Sequence, residues 1–249
     1  MRVGLLHPGE MGAAIGAVLV EQGHQVLWLP RGRSEGSARR AAEAGLTAVE
    51  DLDGAEVILS VCPPHAALDV ARSLQGTSAL VIDANAVSPM TARRIGEVIG
   101  ERWVDGGIVG PAPSRAGTTR LYLSGTHAGE ASSLFDGTRL EPVVLGGSPV
   151  AASALKMAYA AWTKGSAALL LATVETARET GIEDALRAEW SRSQPDLDAR
   201  WRAAMDSAAT KGWRWVGEMH EIASTFAGAG LPSGFHEAAA EVFERAAER

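Results

Sequence analysis

The sequence predicts an α/β fold, a Rossmann-type doubly wound parallel sheet followed by a smaller all-α domain. Three observations predict it. An apolar run, a glycine-containing turn, a helical pattern and a second apolar run complete a βαβ unit within about the first thirty residues. Strand and helix patterns keep alternating to Gly147. From there to the C-terminus no convincing strand occurs. The expected domains are 1–147 and 148–249.

The elements follow in order. Residues 3–6 form the first strand, residues 11–22 a helix with Ile15, Val18 and Leu19 on one face, and residues 25–29 the second strand. Residues 56–61 and 79–83 are unbroken apolar runs, as strands covered on both faces require. Further strands are expected at 103–104, 120–124 and 140–145. Ser148 and Pro149 read as an N-cap and first helical residue, opening a helix over 151–180 that ends at Gly181. At 1.5 Å per residue it is about 45 Å long. The remainder reads as helices interrupted at Gln194-Pro195, at Gly212 and at 228–232.

Composition narrows the function classes. Of the 249 residues, 46% are hydrophobic and 21% charged, values of a chain that buries a core rather than staying disordered. The net charge of -7 comes without a basic run, which argues against a nucleic-acid partner. The only cysteine, Cys62, excludes an internal disulfide and a thiolate-rich metal site, and fits a reducing, cytoplasmic setting. No signal-peptide pattern opens the chain, so no export is expected. The longest apolar stretch, 165–174, is too short for a membrane span. The histidines form no ligand-spaced cluster, so no metal is expected, and no serine-hydrolase elbow occurs.

The first turn carries the chemistry. His7-Pro8-Gly9-Glu10-Met11-Gly12 fits the G-x-G-x-x-G phosphate turn except that His7 stands at the first glycine position. Gly9 would let the backbone approach a pyrophosphate, Gly12 would let the helix pack on the sheet, and helix N–H groups would face the phosphates. His7 is as consistent with a structural role as with a functional one. After the second strand, where an NAD site places a carboxylate for the ribose 2′-hydroxyl, the chain has Leu29-Pro30-Arg31-Gly32-Arg33-Ser34. Arg31, Arg33 and Ser34 suit a 2′-phosphate through charge-assisted hydrogen bonds, so NADP(H) is the expected cofactor.

Several motifs in order resemble the β-hydroxyacid dehydrogenase and 6-phosphogluconate dehydrogenase superfamily. The turn ends in Met11-Gly12 and Gly23-His24-Gln25-Val26 precedes the second strand, as in that family. Val61-Cys62-Pro63-Pro64 matches its segment lining the nicotinamide, and the run from Asp83 through Asn85 to Pro89 matches its Asp-x-Ser-Thr-x-x-Pro segment. Asp105-Gly106-Gly107-Ile108-Val109-Gly110 falls at its substrate-binding loop, with Val109 replacing the serine. The resemblance is carried by residues 1–180; beyond them only helical character matches, as in a short branch of the family with a reduced helical domain.

The resemblance implies hydride transfer between nicotinamide and a small carbonyl or hydroxyacid, with Lys156 as the general acid/base. Tyr159 and Ala160 stand where the family has a polar residue and an asparagine. Tyr159 shares a helix face with Lys156, placing it either in the proton relay or in packing. Residues 216–223 align with a family helix in which Glu218 reverses the charge of a lysine, and His220 follows it. That reversal suggests a substrate of different polarity, a basic or imine-containing one, because a carboxylate favours a nearby cation. Asn85, Gly107, Val109, Trp162, Glu218 and His220 are the candidate substrate contacts. Five of seven tryptophans follow Gly147, a clustering that suits helical core, an apolar pocket or a subunit interface. The family implies a homodimer through the helical domain. An imine reductase and a non-catalytic NADP(H) sensor are the alternative functions.

Overall fold

The computed structural model describes residues 1–247. The chain forms two compact units, Met1–Lys156 and a second beginning at Met157. The first unit thus runs past the expected boundary at residue 147 and takes in the start of the long helix.

In the first unit, β1 (Arg2–Leu6), α1 (Glu10–Glu21), β2 (Gln25–Trp28), α2 (Glu35–Glu43) and a two-residue strand, β3 (Thr47–Ala48), come first. Then follow β4 (Val57–Ser60), α3 (Ala67–Ser73), β5 (Leu80–Asp83), α4 (Pro89–Ile99), β6 (Trp103–Val109), β7 (Thr119–Ser124), α5 (Ala128–Ser133) and β8 (Leu140–Val144). They build one sheet ordered β3-β2-β1-β4-β5-β6-β7-β8. All neighbours are parallel except β6 and β7. Every residue of β4 and β5 is buried, which is why these segments read as unbroken apolar runs. From β1 the chain moves outward to β2 and β3 and then crosses back to β4 on the other side of β1, so a crevice opens at the carboxyl ends of β1 and β4, where doubly wound sheets bind ligands.

Three local expectations need correction. Residues 105–109, expected as a loop, are the second half of β6, with Gly107 opposite Tyr122 and Val109 opposite Arg120. Antiparallel pairing with β7 holds the segment straight. The long helix, α6 (Ala151–Glu179), starts later than the Ser148-Pro149 pair. Ser148 Oγ accepts from Val150 N at 3.3 Å in the preceding turn, while groups from the sheet take the first N–H bonds of α6, as set out below. β3 had no sequence signal, being two exposed residues at the sheet edge.

The second unit comprises the rest of α6 with α7 (Glu183–Ser193), α8 (Leu197–Gly228) and α9 (Gly234–Ala247). Leu170, Val174 and Trp190 form a core against Leu186, Leu197 and Trp201. The breaks at Gln194-Pro195 and at 228–232 are present, but α8 runs straight through Gly212. A Cβ on Gly212 would lie 3.4 Å from the Phe243 carbonyl oxygen, an ordinary contact, so this glycine sits against α9 within a continuous helix.

Candidate cofactor and active site

The phosphate turn is built as its glycines require. A Cβ on Gly12 would sit 2.5 Å from the His7 carbonyl oxygen, so only glycine lets α1 pack on the turn. A Cβ on Gly9 would meet nothing within 4 Å, leaving the backbone approachable. Gly9 is the N-cap of α1, and the first N–H groups of that helix have no side-chain cap. His7 adopts φ 66°, the left-handed conformation of a glycine, at a cost of about 1–2 kcal/mol for a side-chain-bearing residue. Its ring is half-buried, and burial followed by the Arg33 charge lowers its pKa to about 4, against a hydrogen bond with the Leu6 backbone.

The loop after β2 presents its guanidiniums unequally. Arg31 is exposed, whereas Arg33 is half-buried and its charge acts on both His7 and the Cys62 thiol. Ser34 Oγ caps α2 by accepting from Ser37 N at 3.2 Å. Arg40, one helix further on, donates from Nε to the Pro8 carbonyl at 3.2 Å and from Nη2 to Ser37 Oγ at 3.3 Å. It therefore braces the phosphate turn from α2. Sequence reasoning missed it, and the Arg39-Arg40 doublet was the only hint.

At the ends of β4 and β5 the side chain of Asn85 is fully committed. Its Nδ2 donates to Ser60 Oγ at 3.0 Å and to Asp83 Oδ1, and its Oδ1 accepts from Cys62 N at 2.6 Å. Asn85 thus holds the Cys62-Pro63-Pro64 loop in place. Burial, then the neighbouring Asp83, pushes the Cys62 thiol up to about 12, so it is no nucleophile.

Asp83 and Asp105 face each other in register on parallel strands, which puts two buried carboxyls side by side. Burial and the Asp105 charge raise Asp83 to about 8. Asp105 is also raised by burial, but Ser153 N and Ser124 Oγ each donate to its Oδ2 at 2.9 Å and Ser153 Oγ to its Oδ1, so the charge resides there. Ser124 Oγ also accepts from Ala152 N at 3.0 Å. These groups, none singled out in the sequence reading, satisfy the N-terminal amides of α6.

Lys156 lies one turn beyond Ser153, half-buried. A Cβ on Gly107 would be 3.0 Å from Lys156 Cβ and 2.7 Å from the Ala152 carbonyl oxygen. Gly107 is thus the seat that lets the lysine-bearing turn rest on β6. Val109 is 5% exposed within that strand. In the second unit Tyr159 and Trp162 are exposed, at 49% and 72%, and His220 is exposed on α8. Glu218 is buried and ion-paired with Lys164. Its charge is therefore compensated within the unit, which removes the ground for expecting a cationic substrate. Among the described residues no cluster of His, Cys, Asp and Glu is placed to hold a metal.

The chain is similar to several known proteins. The family described as NADP oxidoreductase, coenzyme F420-dependent, matches residues 2–87, and a domain of unknown function, DUF1932, matches residues 177–246. The chain is 29% identical over 193 residues to the uncharacterized 28.5 kDa protein in the 7S RNA 5′ region of Methanothermus fervidus, covering 75% of this chain and 74% of that one. A conserved protein of unknown function, described as structurally similar to 3-hydroxyacid dehydrogenases, is 28% identical at TM-score 0.72 and covers 100% of this chain and 97% of its own. These matches support a likeness to β-hydroxyacid dehydrogenase-like proteins. Two more distant structures of similar fold are a 3-hydroxyisobutyrate dehydrogenase of Salmonella typhimurium and an imine reductase of a Pseudomonas species. The first is 14% identical at TM-score 0.71, covering 100% of this chain and 94% of its own. The second is 18% identical at TM-score 0.56, covering 98% of each.

The first unit gathers the glycine turn, Arg33, the Cys62 loop, Asn85, Gly107 and Lys156 along the carboxyl halves of β1, β2, β4, β5 and β6. Among the described residues no helix is long and apolar enough to cross a membrane.

Proposed function

We propose that this protein is an NADPH-dependent oxidoreductase acting between a small carbonyl and the corresponding hydroxyacid or alcohol, with Lys156 as general acid/base. The observation that carries the reading is the seat of Lys156 on Gly107, in the same unit as the phosphate turn. The turn suits a dinucleotide: Gly9 is open, Gly12 is obligatory, and the α1 amides lack a side-chain cap. Arg33 and Arg40, with Arg31 and Ser34 at the rim, supply the positive surroundings that a 2′-phosphate needs. A bound nicotinamide would supply or accept the hydride. Lys156 Nζ then gives the proton to the substrate oxygen in reduction and takes it in oxidation.

Steady-state NADPH consumption over a panel of carbonyls and imines, with NADH alongside, tests this directly. Lys156→Ala is expected to lower kcat by about 10²–10⁴-fold while NADPH binding persists. Unchanged turnover removes Lys156 from the mechanism, NADPH binding without turnover on the whole panel establishes a sensor, and equal use of NADH overturns the 2′-phosphate reading. Imine reduction is the second reading, favoured by Val109 and Ala160 at positions where hydroxyacid enzymes carry a serine and an asparagine. We further propose a cytoplasmic homodimer formed through the helical unit. Trp162 and Leu169 on α6 and Trp213 on α8 are exposed at 72%, 55% and 61%, surface that a second copy would cover.

A further inference from the structure

The first N–H groups of a helix have no partner within it. At the start of α6, Ala152 N donates to Ser124 Oγ at 3.0 Å and Ser153 N to Asp105 Oδ2 at 2.9 Å, so a hydroxyl and a carboxylate on two paired strands take them. Ser124 Oγ and Ser153 Oγ also donate to Asp105, which is fully buried and thus receives three hydrogen bonds. Its negative charge lies against the N-terminal turn of α6, where the helix dipole favours it.

Asp105 and Gly107 alternate on one face of β6, the face that the start of α6 covers. Asp105 holds Ser153, Gly107 seats Lys156, and those two residues are one helical turn apart. The strand has no room to shift between them. A Cβ on Gly106 would lie 3.0 Å from the Asp83 carbonyl oxygen, and one on Gly107 2.7 Å from the Ala152 carbonyl oxygen. A change in how Asp105 holds Ser153 is therefore passed to Lys156 over a single turn.

We propose that Asp105 is the positioning residue for Lys156: its carboxylate fixes the first turn of α6 and thereby the place from which the lysine acts. This rests on the reading of Lys156 as the general acid/base and extends it to a residue that, being fully buried, has no access to substrate. Asp105→Asn has nearly the same shape but replaces one acceptor by a donor, which then faces a Ser124 or Ser153 donor.

The chain has three lysines, Lys156, Lys164 and Lys211, so reductive ¹³C-methylation gives few signals, and Lys156→Ala identifies that of Lys156. In Asp105→Asn, and in Ser153→Ala, which removes no charge, the Lys156 signal is expected to move while those of Lys164 and Lys211 stay. An unmoved Lys156 signal in the folded variants overturns the proposal. Turnover of NADPH with the fastest-reduced compound of the carbonyl and imine panel gives the second readout. Asp105→Asn is expected to lower kcat about 10–10²-fold, the cost of a misplaced catalytic group, with NADPH affinity unchanged. Added to Lys156→Ala it should bring no further loss, since both act through one side chain. A further loss of the same size in that double variant overturns the positioning role and leaves the lysine reading standing. Native turnover in Lys156→Ala overturns the lysine reading and the proposal with it. Should Asp105→Asn fail to fold, Ser153→Ala, which keeps the backbone N–H bond, carries both readouts.

Discussion

Each unit buries a pair of ionisable side chains, and the two pairs solve the problem of buried charge differently. In the helical unit Lys164 on α6 meets Glu218 on α8, with the ammonium 5.8 Å from the centre of the Trp215 ring. Opposite charges compensate each other there, and the pair links two helices 54 residues apart in sequence. In the sheet unit Asp83 and Asp105 carry the same charge on adjacent strands. Such a pair is tolerated only by retaining a proton, which Asp83 keeps, while the donors around Asp105 accommodate the remaining charge. The helical pair therefore depends on both partners being present, and the sheet pair depends on pH.

The largest expected effect separates these dependences. Lys164→Met leaves Glu218 buried without its partner and is expected to cost about 3–5 kcal/mol in urea unfolding. The double variant Lys164→Met/Glu218→Leu should recover most of that loss. Equal destabilisation by the single and double variants would show that the charge pairing is not what holds α6 to α8.

Asp83 gives an intermediate effect with a definite sign. Its folded-state pKa, about 8, lies above the usual carboxyl value of 3.8, so unfolding releases a proton between those pH values. The contribution of this group is then a stability that falls as pH rises from about 4 to about 8, with a slope of at most ~1.4 kcal/mol per pH unit. Asp83→Asn mimics the protonated form and should flatten that slope. Parallel pH profiles of native and Asp83→Asn stability would mean that the proton resides elsewhere.

The smallest effect belongs to the surface. Arg72 and Asp69 pair at 2.6 Å, but their side chains are 60% and 79% exposed. Arg72→Ala should cost less than about 0.5 kcal/mol. A loss near that of Lys164→Met would undo the distinction between buried and exposed pairs on which the comparison rests.

The order of strands and helices in the first unit, the glycine turn and the helical character of the second unit were all legible in the sequence. Each is written locally: β4 and β5 as unbroken apolar runs, the turn as glycines between a strand and a helix, and α6 as a proline-free stretch rich in Ala and Leu. Segments whose state depends on a distant partner were misread. Residues 105–109 became strand because β7 pairs with them, and Gly212 stayed helical because α9 packs against it.

The candidate site divides in the same way. Residue identity alone located the glycine turn at His7 to Gly12 and singled out Arg33 and Lys156 as candidates. Tertiary structure decided that Arg40 braces the turn, that Asn85 holds a loop, that Glu218 is neutralised by Lys164, and that Asp105 with Ser124 and Ser153 anchors the helix bearing Lys156. Periodicity and turn chemistry act over a few residues and so appear in the sequence. The pairings of 8 with 40, 62 with 85, 105 with 153 and 164 with 218 join positions that no local pattern connects, and only the closed fold brings them together.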